Sequence, residues 1–226
     1  MIKLNFPLLD DPIELVKSTV LVINDVPLFA RLNRAFYHYD DQEDVKLYDL
    51  KYKPVKSTEL LVITDFLGFD VNSSTVLKLV YADLEQQLNE KPEVKSMIDK
   101  LTATITELIG YELLEHDLDL EVDEITIIEL FKALGIKIET LSDTIYEKLI
   151  EIIQIFKYLS KKKLLVLVNA CLFLSASELE ELCQYISLSN VNVLFLETKE
   201  IDQQTVENLE VDQYLIDSDY YVTKIS

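Results

Sequence analysis

The chain has 226 residues, 49% of them hydrophobic and 27% charged, with a formal net charge of -20 and a pI near 4.4. Such a composition excludes a disordered polymer, and the length suffices for one large domain or two modest ones, each with a real core. Taken alone, the acidity argues against a nucleic-acid binder, because neutralising phosphates needs lysine and arginine; yet net charge is a sum, and a ring or groove can gather its cations on one surface.

Two cysteines, Cys171 and Cys183, sit in apolar or helical contexts without metal spacing and read as buried cytosolic thiols. No apolar run approaches the roughly 18 residues of a membrane span, so a soluble cytoplasmic protein without membrane contact is expected.

In chain order, IKLNF and IELVKS alternate or run apolar around Pro7, Asp10, Asp11 and Pro12, which predicts a short antiparallel start. A buried strand, Thr19 to Ile23, leads into an amphipathic helix from Pro27 to Tyr39 with Phe29, Leu32 and Phe36 on one face. A strand at Lys46 to Tyr48 follows. ELLVIT, Glu59 to Thr64, is apolar on both faces, as in the middle of a parallel sheet covered by helices.

Asn72, Ser73 and Ser74 then offer N-caps for a helix carrying Leu77, Tyr81, Leu84 and Leu88. Pro92 opens a longer helix, with Val94, Met97, Leu101, Ile105 and Leu108 at helical spacing, running to about Leu114. Asp123 is expected to cap a third helix, stopped by Gly135, and Ser142 or Asp143 a fourth, with Leu149, Ile152, Ile153 and Phe156. Strands return at Leu164 to Val168 and Val193 to Leu196, around a helix at Ser177 to Ser187. An acidic segment, Asp202 to Asp212, precedes a last strand at Tyr220 to Lys224.

This order predicts an α/β fold in which a helical block, 73–163, is inserted in a sheet domain made of 1–72 and 164–226.

Enzymatic motifs are sparse. VITD at Val62 to Asp65 looks like the magnesium-binding strand of a phosphate-loop ATPase, but the partner motif GxxxxGK[ST] is missing, since glycines occur only at 68, 110 and 135. The first buried strand runs into Asp25, Val26 and Pro27, which supply no nest of backbone N–H groups, so Asp65 is read as a turn residue. His38 and His116 have no nucleophile motif beside them. A metal-dependent nuclease using acidic residues remains one open alternative.

The stretch Glu112 to Glu129 holds eight carboxylates and no lysine or arginine, a density that must be solvated, neutralised or filled by a cation. From Asp117, carboxylates fall at positions 1, 3, 5 and 7 of an EF-hand-like count, as Asp117, Asp119, Glu121 and Asp123. Val122 and Ile128 stand where glycine and glutamate are required, so the stretch is not an EF-hand. A helix–loop site of another kind suits calcium better than magnesium, because calcium accepts flexible all-oxygen coordination. The predicted helical block also holds eleven of the 21 basic residues, which would form a cationic surface if assembly aligned them.

FLGFDVNSSTVLKLVYADLEQQLNEKPEVKSMIDKLTATITELI, DEITIIELFKALGIKIET and SDTIYEKLIEIIQIFKYLSKKKLL, with NFPLLDDPIEL and VLFLE, resemble the accessory protein of type II-A CRISPR spacer acquisition, the Csn-two family. The resemblance implies a non-catalytic relative of phosphate-loop ATPases: a degenerate parallel-sheet core with an all-helical insertion domain, assembled as a ring-shaped homotetramer. It implies calcium in the helical region, placed here on Asp119, Glu121, Asp123 and Glu129. It further implies sequence-independent binding of double-stranded DNA ends in a lysine-lined hole, placed here on Lys91, Lys95, Lys132, Lys137 and Lys148. The implied role is support of spacer integration beside the CRISPR integrase pair and effector nuclease. The alternative outside DNA binding is a protein–protein adaptor of the adaptation complex.

Overall fold

The computed structural model describes residues 2–7, 9–39, 45–140, 142–159, 161–201, 211–217, 219 and 221–225. It divides into two compact units, Met1–Asp70 with Leu141–Ser226, and Val71–Thr140.

The first unit contains β1 (Ile2–Asn5), β2 (Ile13–Leu15), β3 (Ser18–Ile23), α1 (Val26–Tyr37), β4 (Lys46–Asp49) and β5 (Leu60–Ile63). After the second unit it continues with α5 (Ile145–Tyr158), β6 (Leu164–Val168), α6 (Ala176–Ser189), β7 (Val193–Glu197), β8 (Asp212–Ile216) and β9 (Val222–Ile225). A six-stranded sheet runs in the order β5-β6-β7-β3-β8-β9; all neighbours are parallel except β8 and β9. A separate antiparallel sheet has the order β2-β1-β4.

The continuous apolar strands are explained by cover on both faces. In β3, Leu21 and Ile23 join a core with α1 (Leu28, Leu32, Phe36) and the antiparallel sheet (Ile2, Leu4, Leu15, Leu47). Val20 and Val22, one residue out of phase, join the opposite core with α5 and α6 through Ile152, Ile153, Phe156, Leu182 and Ile186. The same alternation holds in β6 and β7, so every residue of both strands is buried. Each such side chain contributes about 1.5–3 kcal/mol relative to exposure, which makes the sheet the main store of stability.

This packing moves one boundary. Helix α5, read from sequence as the fourth helix of the insertion, packs on the sheet, with Leu149, Ile152 and Ile153 fully buried. Its N-cap is Thr144, in a reciprocal box with Glu147, instead of Ser142 or Asp143. Strand β8 carries no strong apolar run and was not expected. Residues 202–210 of the acidic segment, and Tyr220, where the last strand was expected to begin, lie outside the described residues.

The second unit carries α2 (Ser74–Asn89), α3 (Pro92–Leu113) and α4 (Ile127–Ala133). Its core is small. Tyr81 of α2 stacks against Phe131 of α4 with ring centroids 6.0 Å apart, and the Tyr81 hydroxyl donates to the Ile136 carbonyl at 2.8 Å. Asn72 does not cap α2. Its carboxamide instead clasps the backbone of Ile138, donating to the carbonyl at 3.0 Å and accepting from the N–H at 2.8 Å. These bonds fasten the beginning of the unit to its end. In α3 only Thr102 is buried, while Met97, Leu101 and Leu108 are 66%, 60% and 62% exposed.

Candidate functional site

At the C-terminal edge of the parallel sheet, β3 turns directly into α1. A helix N-terminus at such a point attracts phosphate through free N–H groups and the positive end of its dipole. Here the Asp25 carboxylate already takes that place: the Leu28 N–H donates to Asp25 Oδ1 at 2.7 Å, and Pro27 has no N–H to offer. A bound phosphate would meet a negative charge. Asp65 lies two residues beyond the edge strand β5, which is three strand spacings from β3, or about 14 Å. Its carboxylate accepts the Gly68 N–H at 2.9 Å, the turn role expected from the sequence.

The same edge holds a carboxylate that sequence reasoning missed. Glu197, the last residue of β7, is fully buried. Its Oε1 accepts the Cys171 N–H at 3.0 Å, while Oε2 has no hydrogen-bond partner among the described residues. Burial raises its pKa from the ordinary carboxylate range to about 7, against the lowering effect of the Cys171 and Ala170 bonds. Burial, then the adjacent Glu197 charge, push the Cys171 thiol well up, and burial takes Cys183 to about 11, so neither is a ready thiolate. The available signal was a glutamate closing an otherwise apolar strand, VLFLE.

The acidic stretch connects α3 to α4 as irregular backbone from Leu114 to Thr126. Asp119, Glu121, Asp123 and Glu129 are all exposed. No three His, Cys, Asp or Glu side chains converge as a metal-holding group among the described residues. Thr126, not Asp123, caps α4, and Glu129 closes that cap: its Oε2 accepts the Thr126 N–H at 2.9 Å and the Thr126 hydroxyl at 2.6 Å. These bonds, led by the hydroxyl, lower the Glu129 pKa. As a donor set, four carboxylates with nothing softer match the hard-oxygen preference of calcium. Their spread within one chain means that ligation requires the loop to regroup or a second chain to contribute.

The five candidate lysines are not brought to one place by a shared element. Lys91 is the N-cap residue of α3, and Lys95, one turn in, donates to Asn89 Oδ1 at 2.7 Å. Lys132 lies in the last turn of α4 and Lys137 beyond Gly135, both exposed. Lys148 is in α5 and thus in the sheet unit; its side chain is 12% exposed and pairs with Glu151 at 3.4 Å. A second gathering of cations, Lys157, Lys162 and Lys163, read from sequence only as lysines closing a helix, lines a cavity at the N-terminal edge of the sheet. Among the described residues no helix is long and apolar enough to cross a membrane.

Residues 38–220 match the model of a family described as "CRISPR-associated protein (Cas_Csn2)". The chain belongs to this CRISPR-associated Csn2 family. A Csn2 protein of Enterococcus faecalis is 57% identical over 221 residues, covering 98% of each chain. One from Streptococcus agalactiae is 54% identical over 222 residues, covering 98% of this chain and 97% of that one. Among solved structures, Stu0660 of Streptococcus thermophilus superposes with a TM-score of 0.57 at 14% identity, covering 99% of this chain and 76% of that one, a likeness of fold alone. The expected family is therefore the right one, and the names carried by the Csn2 family and these relatives are not names of enzymes.

Proposed function

We propose that this Csn2-family chain is a non-catalytic, calcium-dependent, ring-forming binder of double-stranded DNA ends that supports acquisition of new CRISPR spacers. In this reading the parallel sheet is a degenerate phosphate-loop ATPase core, Val71–Thr140 is an all-helical insertion, and four copies close a ring.

The observation that carries the reading is the uncovered apolar stripe of α3. Val94, Met97, Leu101, Ile105 and Leu108 recur at helical spacing and are between 45% and 66% exposed, outside the small core of their own unit. A long helix holding that much apolar surface in water calls for a partner helix, and a second copy supplies an identical one. The carboxylate cap at the start of α1 supports the non-catalytic part, since it denies a nucleotide phosphate its usual seat. For calcium, Asp119, Glu121, Asp123 and Glu129 are the proposed oxygen donors, gathered upon assembly. For DNA, the exposed Lys91, Lys132 and Lys137, with Lys95, remain candidates; Lys148 is withdrawn from that role because it is nearly buried and paired. The integrase pair and effector nuclease are the proposed protein partners.

The test is a mobility-shift titration of linear against covalently closed circular duplex, with calcium or with chelator. A ring that threads onto ends shifts linear DNA and leaves closed circles free, with affinity falling steeply as salt rises. Equal retention of both topologies rejects threading, no shift at all supports the adaptor reading, and shortened products with magnesium or manganese support a nuclease.

A further inference from the structure

The N-terminal edge of the parallel sheet contains a cavity of about 420 Å³, whose polar lining is Lys157, Lys162, Lys163, Ser189, Asn190, Asn192 and the carboxylate of Asp49. Its position follows from the fold. Helices α5 and α6 both end here, and their terminal carbonyls attract ammonium groups, which accounts for lysines collecting at this edge. The same carbonyl ends oppose an anion, so a phosphate here must be held by lysine charge in excess of theirs.

Lys163 is compensated, pairing with Glu59 at 2.8 Å and lying 4.0 Å from Asp49. Lys157 and Lys162 have no ion-pair partner among the described residues. Lys162 is the unusual one: its ammonium donates to the Leu60 carbonyl, which uses one of three N–H groups, and burial lowers its pKa. The one carboxylate in the cavity wall, Asp49, lies against Lys163, so the partly desolvated Lys162 ammonium keeps only a neutral acceptor of its own, an arrangement that an anion would complete. The other walls are suited to the same ligand, since the Ser189 hydroxyl and the Asn190 carboxamide are hydrogen-bond donors.

We propose that this cavity binds a phosphate group, with Lys157 and Lys162 supplying the charge and Ser189 and Asn190 the neutral donors. The phosphate comes either from a duplex backbone or from a free polyphosphate such as a nucleoside triphosphate. The site lies at the edge of the sheet opposite the Asp25-capped start of α1, so it is not the nucleotide seat of a phosphate-loop enzyme. Only its use for duplex rests on the DNA-binding reading.

The experiment titrates the full chain with sodium tripolyphosphate at low salt by calorimetry, and in parallel with a linear duplex. The variants are Lys157→Gln, at an exposed unpaired position, and Lys162→Met, which removes a half-buried charge while keeping the aliphatic stem. Tripolyphosphate is expected to bind the wild type, and each variant to weaken it by about tenfold, with Lys78→Gln, at an exposed position outside every proposed site, unchanged. No calorimetric binding by the wild type, or equal binding by the wild type and both lysine-cavity variants, overturns the proposal. Duplex affinity that falls with tripolyphosphate affinity identifies a backbone phosphate as ligand; duplex affinity that stays constant while tripolyphosphate affinity falls identifies a free polyphosphate. A wild type that binds tripolyphosphate and never shifts duplex rejects the DNA-binding function and leaves the cavity's assignment standing.

Discussion

At the scale of single residues, Glu197 is where the fold accepts a cost. A carboxylate with one bonded oxygen and one unpartnered oxygen, sealed under the turn Cys171–Phe173, is easier to bury protonated than charged. With a folded pKa of about 7 against an ordinary value of 4.5, the native state holds the proton more tightly than the unfolded chain. The resulting contribution is fully present below pH 4.5 and is lost as pH rises through 7, a swing of about 3 kcal/mol. Glu197→Gln mimics the protonated form. Denaturant titrations should therefore find the variant equal to wild type below about pH 4 and more stable by up to that amount near pH 8; a pH-independent difference would sink the assignment. Asn72 shows the opposite economy. It reads in sequence as one of three interchangeable caps, yet its two bonds to Ile138 hold the ends of the second unit together. Sequence proximity to a helix start concealed a partner 66 positions away.

At the scale of elements, helix periods were the most legible feature. Helix α3 was expected from Pro92 to about Leu114 and spans Pro92–Leu113, because proline fits the first turn and the apolar repeat persists for its whole length. Periodicity reports that one face is apolar and says nothing about what covers it. In α5 that face enters the sheet core; in α3 it stays in water. If the α3 stripe is the proposed interface between copies, Met97→Lys combined with Leu101→Lys should lower the assembled mass measured by light scattering to that of a single chain. Helicity and unfolding free energy of the single chain should stay within about 0.5 kcal/mol for each surface change. An oligomer unaffected by both charges would move the interface elsewhere. Capping motifs were legible in kind and less so in place. Asp123 was expected to start α4, but Thr126 with Glu129 forms a reciprocal box three residues later, since a hydroxyl and a glutamate three apart satisfy two N–H groups at once.

At the scale of the whole molecule, the open question is how a chain of net charge -20 carries its acidic loop. Asp119, Glu121, Asp123 and Glu129 repel one another and do not converge within one copy. Calcium bound on assembly would link metal, oligomer and stability by mass action, adding about 2.7 kcal/mol at a hundredfold excess over its dissociation constant. Chelation is thus expected to lower the melting temperature and the assembled mass together. Asp123→Asn with Glu129→Gln should reproduce the chelated state in calcium, and a companion Thr126→Ala variant separates the cap from the metal. That companion should lose about 1 kcal/mol of stability without losing calcium response. A double variant that still assembles and binds calcium would reject these ligands.

The sequence by itself determined the alternation of buried strands and amphipathic helices, the missing phosphate loop and the family, because these reside in local order: apolar period, glycine positions and long matching motifs. The tertiary structure alone decided that α5 belongs to the sheet, that β8 pairs beside β3, that Asp25 fills the anion seat of α1, and that Glu197 is sealed at the end of β7. It also decided that Lys157, Lys162 and Lys163 share a hollow with Ser189 and Asn190. Each of these depends on segments distant in sequence meeting at one edge of a sheet, and the strand order that brings them there is set by packing on both faces, which no local pattern encodes.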